Sequence, residues 1–283
     1  MTSINDYSAE IEKIQELIKT ADAVLIGAGA GLSTAAGFIY GGKYFLDNFA
    51  DIHEKYGYTD MYSAGFHNFY SSEEKWGYWA RFIYLQRYKE GAKPLYKELL
   101  NLVKYKNYFV LTTNVDHQFQ LAGFDKNRLF YTQGDYGLFQ CSVPCHNKTY
   151  DNETHVKKML ATIKDGLIPS ELIPKCPVCG KEMTTNLRAD DKFVEDEGWH
   201  KAAANYSDFI EKNKDKKLLL LELGVGWNTP AIIKYPFIRM AYQLKNARYV
   251  CINKGDNYLP EEIKDKSIVI DDDIAKVITE LGR

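Results

Sequence analysis

The 283-residue chain has no apolar run that approaches the length of a membrane span. Its opening, Met-Thr-Ser-Ile-Asn-Asp-Tyr, has neither a basic start nor an apolar core. The sequence therefore gives no reason to expect a signal peptide or a membrane anchor, and it reads as cytoplasmic. An excess of charge is also missing: 36 Lys and Arg stand against 38 Asp and Glu, a formal net charge of −2. That balance offers no general electrostatic case for nucleic acid or an anionic membrane as partner. Internal repeats and low-complexity segments are absent. His53, His67, His146, His155 and His200 show no metal-ligand spacing. No Gly-Lys-Ser or Gly-Lys-Thr follows the glycine-rich loop, which excludes a P-loop.

Cysteine is scarce but patterned. Of five, four fall into close pairs, Cys141-x3-Cys145 and Cys176-x2-Cys179, while Cys251 sits in an apolar run and reads as core. In a cytosolic chain two such pairs point to a metal and not to disulfides. Four thiolates close a tetrahedron and leave no position for water, so the expected metal is a structural Zn2+. Lys-Cys-Pro-Val-Cys-Gly-Lys has the turn chemistry of a zinc knuckle.

What is abundant is small residues in one place. Gly27 to Gly37 reads Gly-Ala-Gly-Ala-Gly-Leu-Ser-Thr-Ala-Ala-Gly and comes after the apolar run Ala23-Val24-Leu25-Ile26. A buried strand, a tight turn and a helix start make a phosphate cradle, because glycine lets the backbone approach the ligand and the first N–H groups of a helix are unpaired. Ala28, Ala30, Ser33 and Ala35 leave room for a dinucleotide. The third glycine position of the dinucleotide fingerprint holds Leu32. The ribose-binding acid expected about 20 residues on falls on Asp47, away from any strand end. The plainer alternative is a glycine turn that only packs a helix onto a sheet.

Along the chain, residues 8–20 have the spacing of an amphipathic helix, with Ile11, Ile14, Leu17 and Ile18 on one face. Residues 43–100, aromatic and helical in tone, read as an insertion over the cofactor. A buried strand ends at Thr113-Asn114, and carboxyl ends of parallel strands face the ligand crevice, so Asn114 and Asp116 lie where chemistry is expected. Leu129-Phe-Tyr-Thr leads to Gln133-Gly134. Leu218 to Leu223 is almost wholly apolar, as a strand covered on both faces requires, and runs into a second glycine turn, Gly224-Val225-Gly226. The alternation of strands and helices predicts an α/β fold, a Rossmann-like doubly wound parallel sheet with a smaller zinc-binding module and a helical insertion. The expected division is 1–136 and 187–283 for the nucleotide-binding domain and 137–186 for the zinc module.

Three segments together resemble the sirtuin family: the glycine stretch at 27–37, Thr113-Asn-Val-Asp116, and the two cysteine pairs, in the right order and over nearly the whole chain. Gly224-Val225-Gly226 looks like that family's later Gly-Thr-Ser turn, and Asn253 like its ribose-contacting asparagine. The resemblance implies that NAD is bound and cleaved between the two domains. The cofactor contacts it implies are Gly27, Ala28, Gly29, Ala30, Ser33, Thr34, Gly37, Phe38, Tyr40, Asn114, Asp116, Gln133, Gly224, Val225, Gly226, Asn253, Lys254, Asp271 and Asp272. Two departures matter. Phe38-Ile39-Tyr40-Gly41-Gly42 stands where sirtuins carry a Pro-Asp-Phe-Arg type segment, and Gln133-Gly134 replaces the catalytic His-Gly. A carboxamide hydrogen-bonds but takes no proton near neutral pH, as imidazole does. Deacylation loses its base, while nicotinamide departure survives.

This pattern resembles the macrodomain-linked class M sirtuins, which implies a protein mono-ADP-ribosyltransferase. Its implied acceptor is a lipoylated carrier related to the glycine-cleavage H protein, and a macrodomain protein would reverse the modification. The same resemblance adds Arg188, in the region of the acyl-lysine cleft, as a site residue able to stabilise a carboxylate or phosphate. Each residue also has a plainer reading. Asp116 suits the N-cap of a helix at 117–122. Arg188 suits a surface ion pair, and Asp271 and Asp272 an acidic helix start. His117 is a rival base, on a first helical turn that points away from the cleft. The competing functions are an NAD-dependent lysine deacylase with another base, and a non-catalytic module that binds NAD or ADP-ribose.

Overall fold

Strands and helices alternate as expected in a computed structural model that describes residues 4–227, 229–255 and 257–283, with side chains from Tyr7 onward. The described strands are β1 (Ala23–Ala28), β2 (Tyr108–Thr112), β3 (Leu129–Tyr131), β4 (Gly134–Cys141), β5 (Tyr150–Asp151), β6 (Met183–Leu187), β7 (Leu218–Leu223), β8 (Arg248–Ile252) and β9 (Ser267–Ile270). Six of them form one sheet in the order β3-β2-β1-β7-β8-β9, with every pairing parallel. This is the doubly wound order, and its switch point lies between β1 and β7. The other three form an antiparallel sheet, β5-β4-β6.

The helices are α1 (Ile4–Thr20), α2 (Ala30–Ala35), α3 (Gly42–Tyr56), α4 (Met61–Gly65), α5 (Ser72–Ile83), α6 (Pro94–Val103), α7 (Gln118–Ala122), α8 (Glu153–Thr162), α9 (Glu197–Asn213), α10 (Lys234–Gln243) and α11 (Ile274–Leu281). Among the described residues no helix is long and apolar enough to cross a membrane. Start signals are local: Pro94 opens α6, and Ser71, Asp196 and Asp273 cap α5, α9 and α11 through side-chain oxygens.

Every residue of β1, β2 and β7 is buried, because helices cover both faces of the sheet. One face packs on α1, α6 and α11 through Ile14, Leu99, Val277 and Ile278. The other meets α9 and α10 through Phe209, Phe237 and Ala241. A third core joins the helical insertion to the small sheet, with Phe45, Trp76, Tyr78, Phe139 and Met159 at its centre. Two details differ from the sequence reading. The helix α6, placed in the insertion, packs on the parallel sheet instead, because Leu95, Tyr96, Leu99 and Val103 form one apolar stripe. The strand β4 is not legible in the sequence, since Gly-Asp-Tyr-Gly-Leu-Phe-Gln-Cys carries no clean alternation.

The insertion and the small sheet are tied at Glu182. Its carboxylate accepts from Ser72 Oγ at 2.6 Å, Lys75 Nζ at 3.1 Å and Trp76 Nε1 at 2.9 Å, all on α5. These bonds hold its pKa below the usual carboxylate range against the opposing effect of burial.

Candidate active site

The glycine turns after β1 and β7 meet at the switch point. Gly29 N donates to Leu223 O at 3.0 Å and Gly31 N to Gly224 O at 2.9 Å. A Cβ on Gly29 would lie 2.6 Å from Gly224 O, and one on Gly31 2.7 Å from Gly224 Cα. Gly27 is closed off by Ile233 and Phe237. These three glycines therefore serve close packing. The expectation that the helix start offers its N–H groups to an anion is corrected in part, because the N–H groups of Gly29, Gly31 and Leu32 are already taken by carbonyls of the protein. The rim is open, where Ala30 is exposed and Gly37 and Gly226 have no atom near a Cβ position. Gly37 has φ of +90°, which favours glycine.

Two further loops at the carboxyl edge are laced together. Thr132 N donates to Thr112 O at 3.0 Å on one side, and Tyr136 N to Val115 O at 3.0 Å on the other. Asn114 stands within the first loop and Gln133 within the second, so each is flanked by those bonds. Asn114 Nδ2 donates to Gly29 O at 2.9 Å, which orients its carboxamide and leaves Oδ1 free to accept. Gln133 is half-buried, and its carbonyl accepts Arg188 N at 3.1 Å. Gly134 has φ of +94°, and a Cβ there would sit 1.9 Å from Asn186 O, so the residue after Gln133 must be glycine.

Asp116 is fully enclosed. It accepts from Ser33 Oγ at 2.5 Å and from Gln118 N at 3.0 Å, so it both caps the chain into α7 and anchors the start of the glycine-loop helix. Burial raises its pKa, against the lowering effect of those bonds. Ser33 thus points inward, with Tyr96 OH 3.1 Å away on its other side. The Tyr40 ring packs edge-on against Phe82 with centroids 6.1 Å apart, and Phe38 lies beneath Lys93, whose Nζ is 5.1 Å from the ring centroid. Thr34 is exposed, and its hydroxyl donates back to Ala30 O at 3.1 Å.

Arg188 is at the surface. Its Nη2 donates to Glu195 Oε1 at 2.6 Å, and its guanidinium lies 4.2 Å from the Phe193 ring centroid and 5.5 Å from that of Trp199. Its side chain is in the ion-pair arrangement, while its backbone touches Gln133. On the far side of the switch point, Asn253 comes directly after β8 and is buried, Lys254 is exposed, and Asp271 Oδ1 accepts Gly255 N at 2.7 Å. Asp272 pairs with Lys276 at 2.5 Å at the start of α11, which lowers its pKa. Val225 is buried beneath the turn.

His117 departs from the expected helical turn. It is a left-handed residue with φ of 65° just ahead of α7, and its Nδ1 is bonded to the buried Asp135. Asp135 and Arg87 escape sequence reasoning, although the Asp of Gln-Gly-Asp is close to a candidate. Tyr96 gives no signal beyond its apolar stripe.

The four sulfurs of Cys141, Cys145, Cys176 and Cys179 all lie within 4.8 Å of one another. Cys141–Cys179 and Cys145–Cys176 are each 3.6 Å apart, close to the roughly 3.8 Å edge of a tetrahedron with ~2.3 Å Zn–S bonds. All five cysteines are free thiols. The donor set fits a structural Zn2+. Burial opposes the Cys141 thiolate, but backbone N–H groups of Cys145 and Val143 bring its pKa down to about 7. Stripping zinc with a chelator is expected to release the module and the packing of Trp76 on Phe139, whose ring centroids are 5.0 Å apart. Near-UV circular dichroism unchanged after complete zinc loss would rule out a folding role.

No family model matches the chain. It is 39% identical over 277 residues, 98% of this chain and 88% of the other, to a protein ADP-ribosyltransferase of Staphylococcus aureus strain Mu50. It is 34% identical over 248 residues to a probable bifunctional ADP-ribose hydrolase/ADP-ribosyltransferase of Fusarium oxysporum f. sp. cubense, covering 82% of this chain and 40% of that protein. Among solved structures it resembles a sirtuin described for the structural basis of substrate affinity, with a TM-score of 0.63, 19% identity and coverage of 95% and 97%. A Sir2 protein with a p53 peptide and NAD+ gives a TM-score of 0.56 at 18% identity, with 95% of each chain covered.

Proposed function

The chain belongs to the sirtuin family, among its protein ADP-ribosyltransferases, and from that premise we propose that it transfers ADP-ribose from NAD to a lipoylated carrier protein of glycine-cleavage-H type. NAD-dependent ADP-ribosyl transfer to a protein is the activity; the carrier and the residue roles are our reading. The observation that supports it most is that the loops carrying Asn114 and Gln133 are bonded to one another, in a sirtuin fold that has glutamine where deacylation needs a base.

NAD supplies an electrophilic C1′ once the bond from C1′ to the nicotinamide nitrogen breaks and the electron pair leaves with nicotinamide. The acceptor forms the new bond at C1′ and gives up its proton. Asn114 Oδ1 accepts from a ribose hydroxyl and orients the sugar. Gln133 hydrogen-bonds the same ribose but removes no proton. The acceptor therefore attacks C1′ directly, and no acyl group is released. The 27–37 and 224–226 turns, with Asn253 to Asp272 beyond them, receive the rest of the nucleotide, and Arg188 leaves Glu195 to meet an anionic group of the acceptor. The cleft lies between a nucleotide-binding domain (1–136 and 187–283) and the zinc module (137–186). The setting we propose is cytoplasmic, with a macrodomain protein removing the modification. The hydrolase half named in the Fusarium relative supports that pairing.

The test is mass spectrometry of lipoylated and unlipoylated carrier after incubation with enzyme and labelled NAD. Label on the carrier is the expected result. Label recovered only as free ADP-ribose with every carrier tried would sink the acceptor assignment, and brisk formation of O-acyl-ADP-ribose from acetyl peptides would sink the reading of Gln133.

A further inference from the structure

Residues Tyr84–Tyr88 continue α5 as a π-helical turn. Such a turn carries an extra residue, shifts the register of the side chains beyond it, and recurs at functional sites. Here adjacent side chains both reach partners inside the fold. Gln86 is buried, and its Nε2 donates to Ile39 O at 3.2 Å in the Phe38–Tyr40 loop. Arg87 Nε donates to Asp135 Oδ1 at 3.1 Å. Asp135 also accepts from Gly137 N at 2.7 Å and is bonded to His117 Nδ1. Its carboxylate is buried and held below the usual pKa range by these bonds, against desolvation. The reaction proposed above gives no member of this chain of contacts a part.

Asp135 is two residues after Gln133, and His117 is three after Asn114. We propose that the Arg87–Asp135–His117 chain is a positioning clamp that fixes the Gln133 turn against the Asn114 loop. The proposal rests on the reading that those two residues flank the reacting ribose. The physical argument is that Gln133 precedes a left-handed Gly134, which alone sets its direction loosely. The Thr132 and Tyr136 backbone bonds fix the ends of the turn. Asp135 adds a charge-assisted anchor that draws on three separate segments, the π-helical turn, the Asn114 loop and β4.

The experiment measures nicotinamide release from NAD, with kcat and KM taken separately and Tm recorded, for His117→Ala, His117→Asn, Asp135→Ala and the reference Asn114→Ala. His117→Ala and Asp135→Ala are expected to lower kcat roughly 10- to 100-fold with KM for NAD within about three-fold. His117→Asn is expected to recover kcat to within about three-fold of the parent, since its Nδ2–H stands where imidazole Nδ1–H did and asparagine tolerates left-handed backbone. His117→Asn as slow as His117→Ala would overturn the clamp and assign chemistry to the imidazole. Activity loss that merely tracks loss of Tm would overturn it too. Parental kcat in the clamp variants with an inactive Asn114→Ala would overturn the clamp alone. An active Asn114→Ala would remove the site reading and the clamp with it.

Discussion

Asn114→Ala is expected to slow nicotinamide release from NAD by about 100-fold or more, with KM for NAD changed less than about three-fold. The reason is geometric. Asn114 is committed through Nδ2 to Gly29 O, so its Oδ1 is already oriented to accept the ribose hydroxyl we propose for it. Alanine removes that acceptor, while Gly29 O keeps its bond from Leu32 N. Because the glycine loop is also fixed through Gly31 N and Gly29 N to the β7 turn, the nucleotide platform should survive, and the loss should fall on kcat. Steady-state kinetics with NAD titration decides it. A variant that releases nicotinamide within about two-fold of the parent rate would take Asn114 out of the reaction.

The largest effect on stability is expected at the far side of the sheet. Lys234 and Glu222 are both fully buried and paired at 2.5 Å, with Tyr249 OH donating to the other carboxylate oxygen at 2.8 Å. Lys234→Met leaves Glu222 as an uncompensated interior charge beside Cys251, and should cost about 3–5 kcal/mol. That corresponds to a fall in Tm on the order of 10 °C for a chain of this size. The double replacement Lys234→Met with Glu222→Leu removes both charges and should recover most of the loss. Thermal unfolding of the parent, both single variants and the double variant gives the coupling directly. Additive losses in the double variant would show that the pair is not a unit.

The sequence and the structure agree best where a single physical requirement dominates a stretch. Leu218 to Leu223 could only be a doubly covered strand, and the cysteine spacings could only converge. The carboxyl ends of β1, β2, β3, β7, β8 and β9 lead to Gly29, Asn114, Gln133, Gly224, Asn253 and Asp271, so finding the strands found the rim. The hidden part depends on pairings distant in sequence. Glu222 interrupts a leucine run for the sake of a lysine 12 positions on. Asp135 matters through Arg87 and His117, and no local pattern joins them. The glycines of the first turn are legible as small, but their use in packing against Gly224 needs the second turn in space. The start of α9 at Glu197 is local in contrast, because the side chain of Asp196 caps it.

The chain leaves the parallel sheet and returns to it at a single spot. Gln133 O meets Arg188 N, and Gly134 lies directly under Asn186 O. At the other end of β6, Glu182 is fastened a second time, to Ser72, Lys75 and Trp76 of α5. The strand beside the Gln133 turn is thus pinned at both ends, which makes it a stiff wall and not a swinging door.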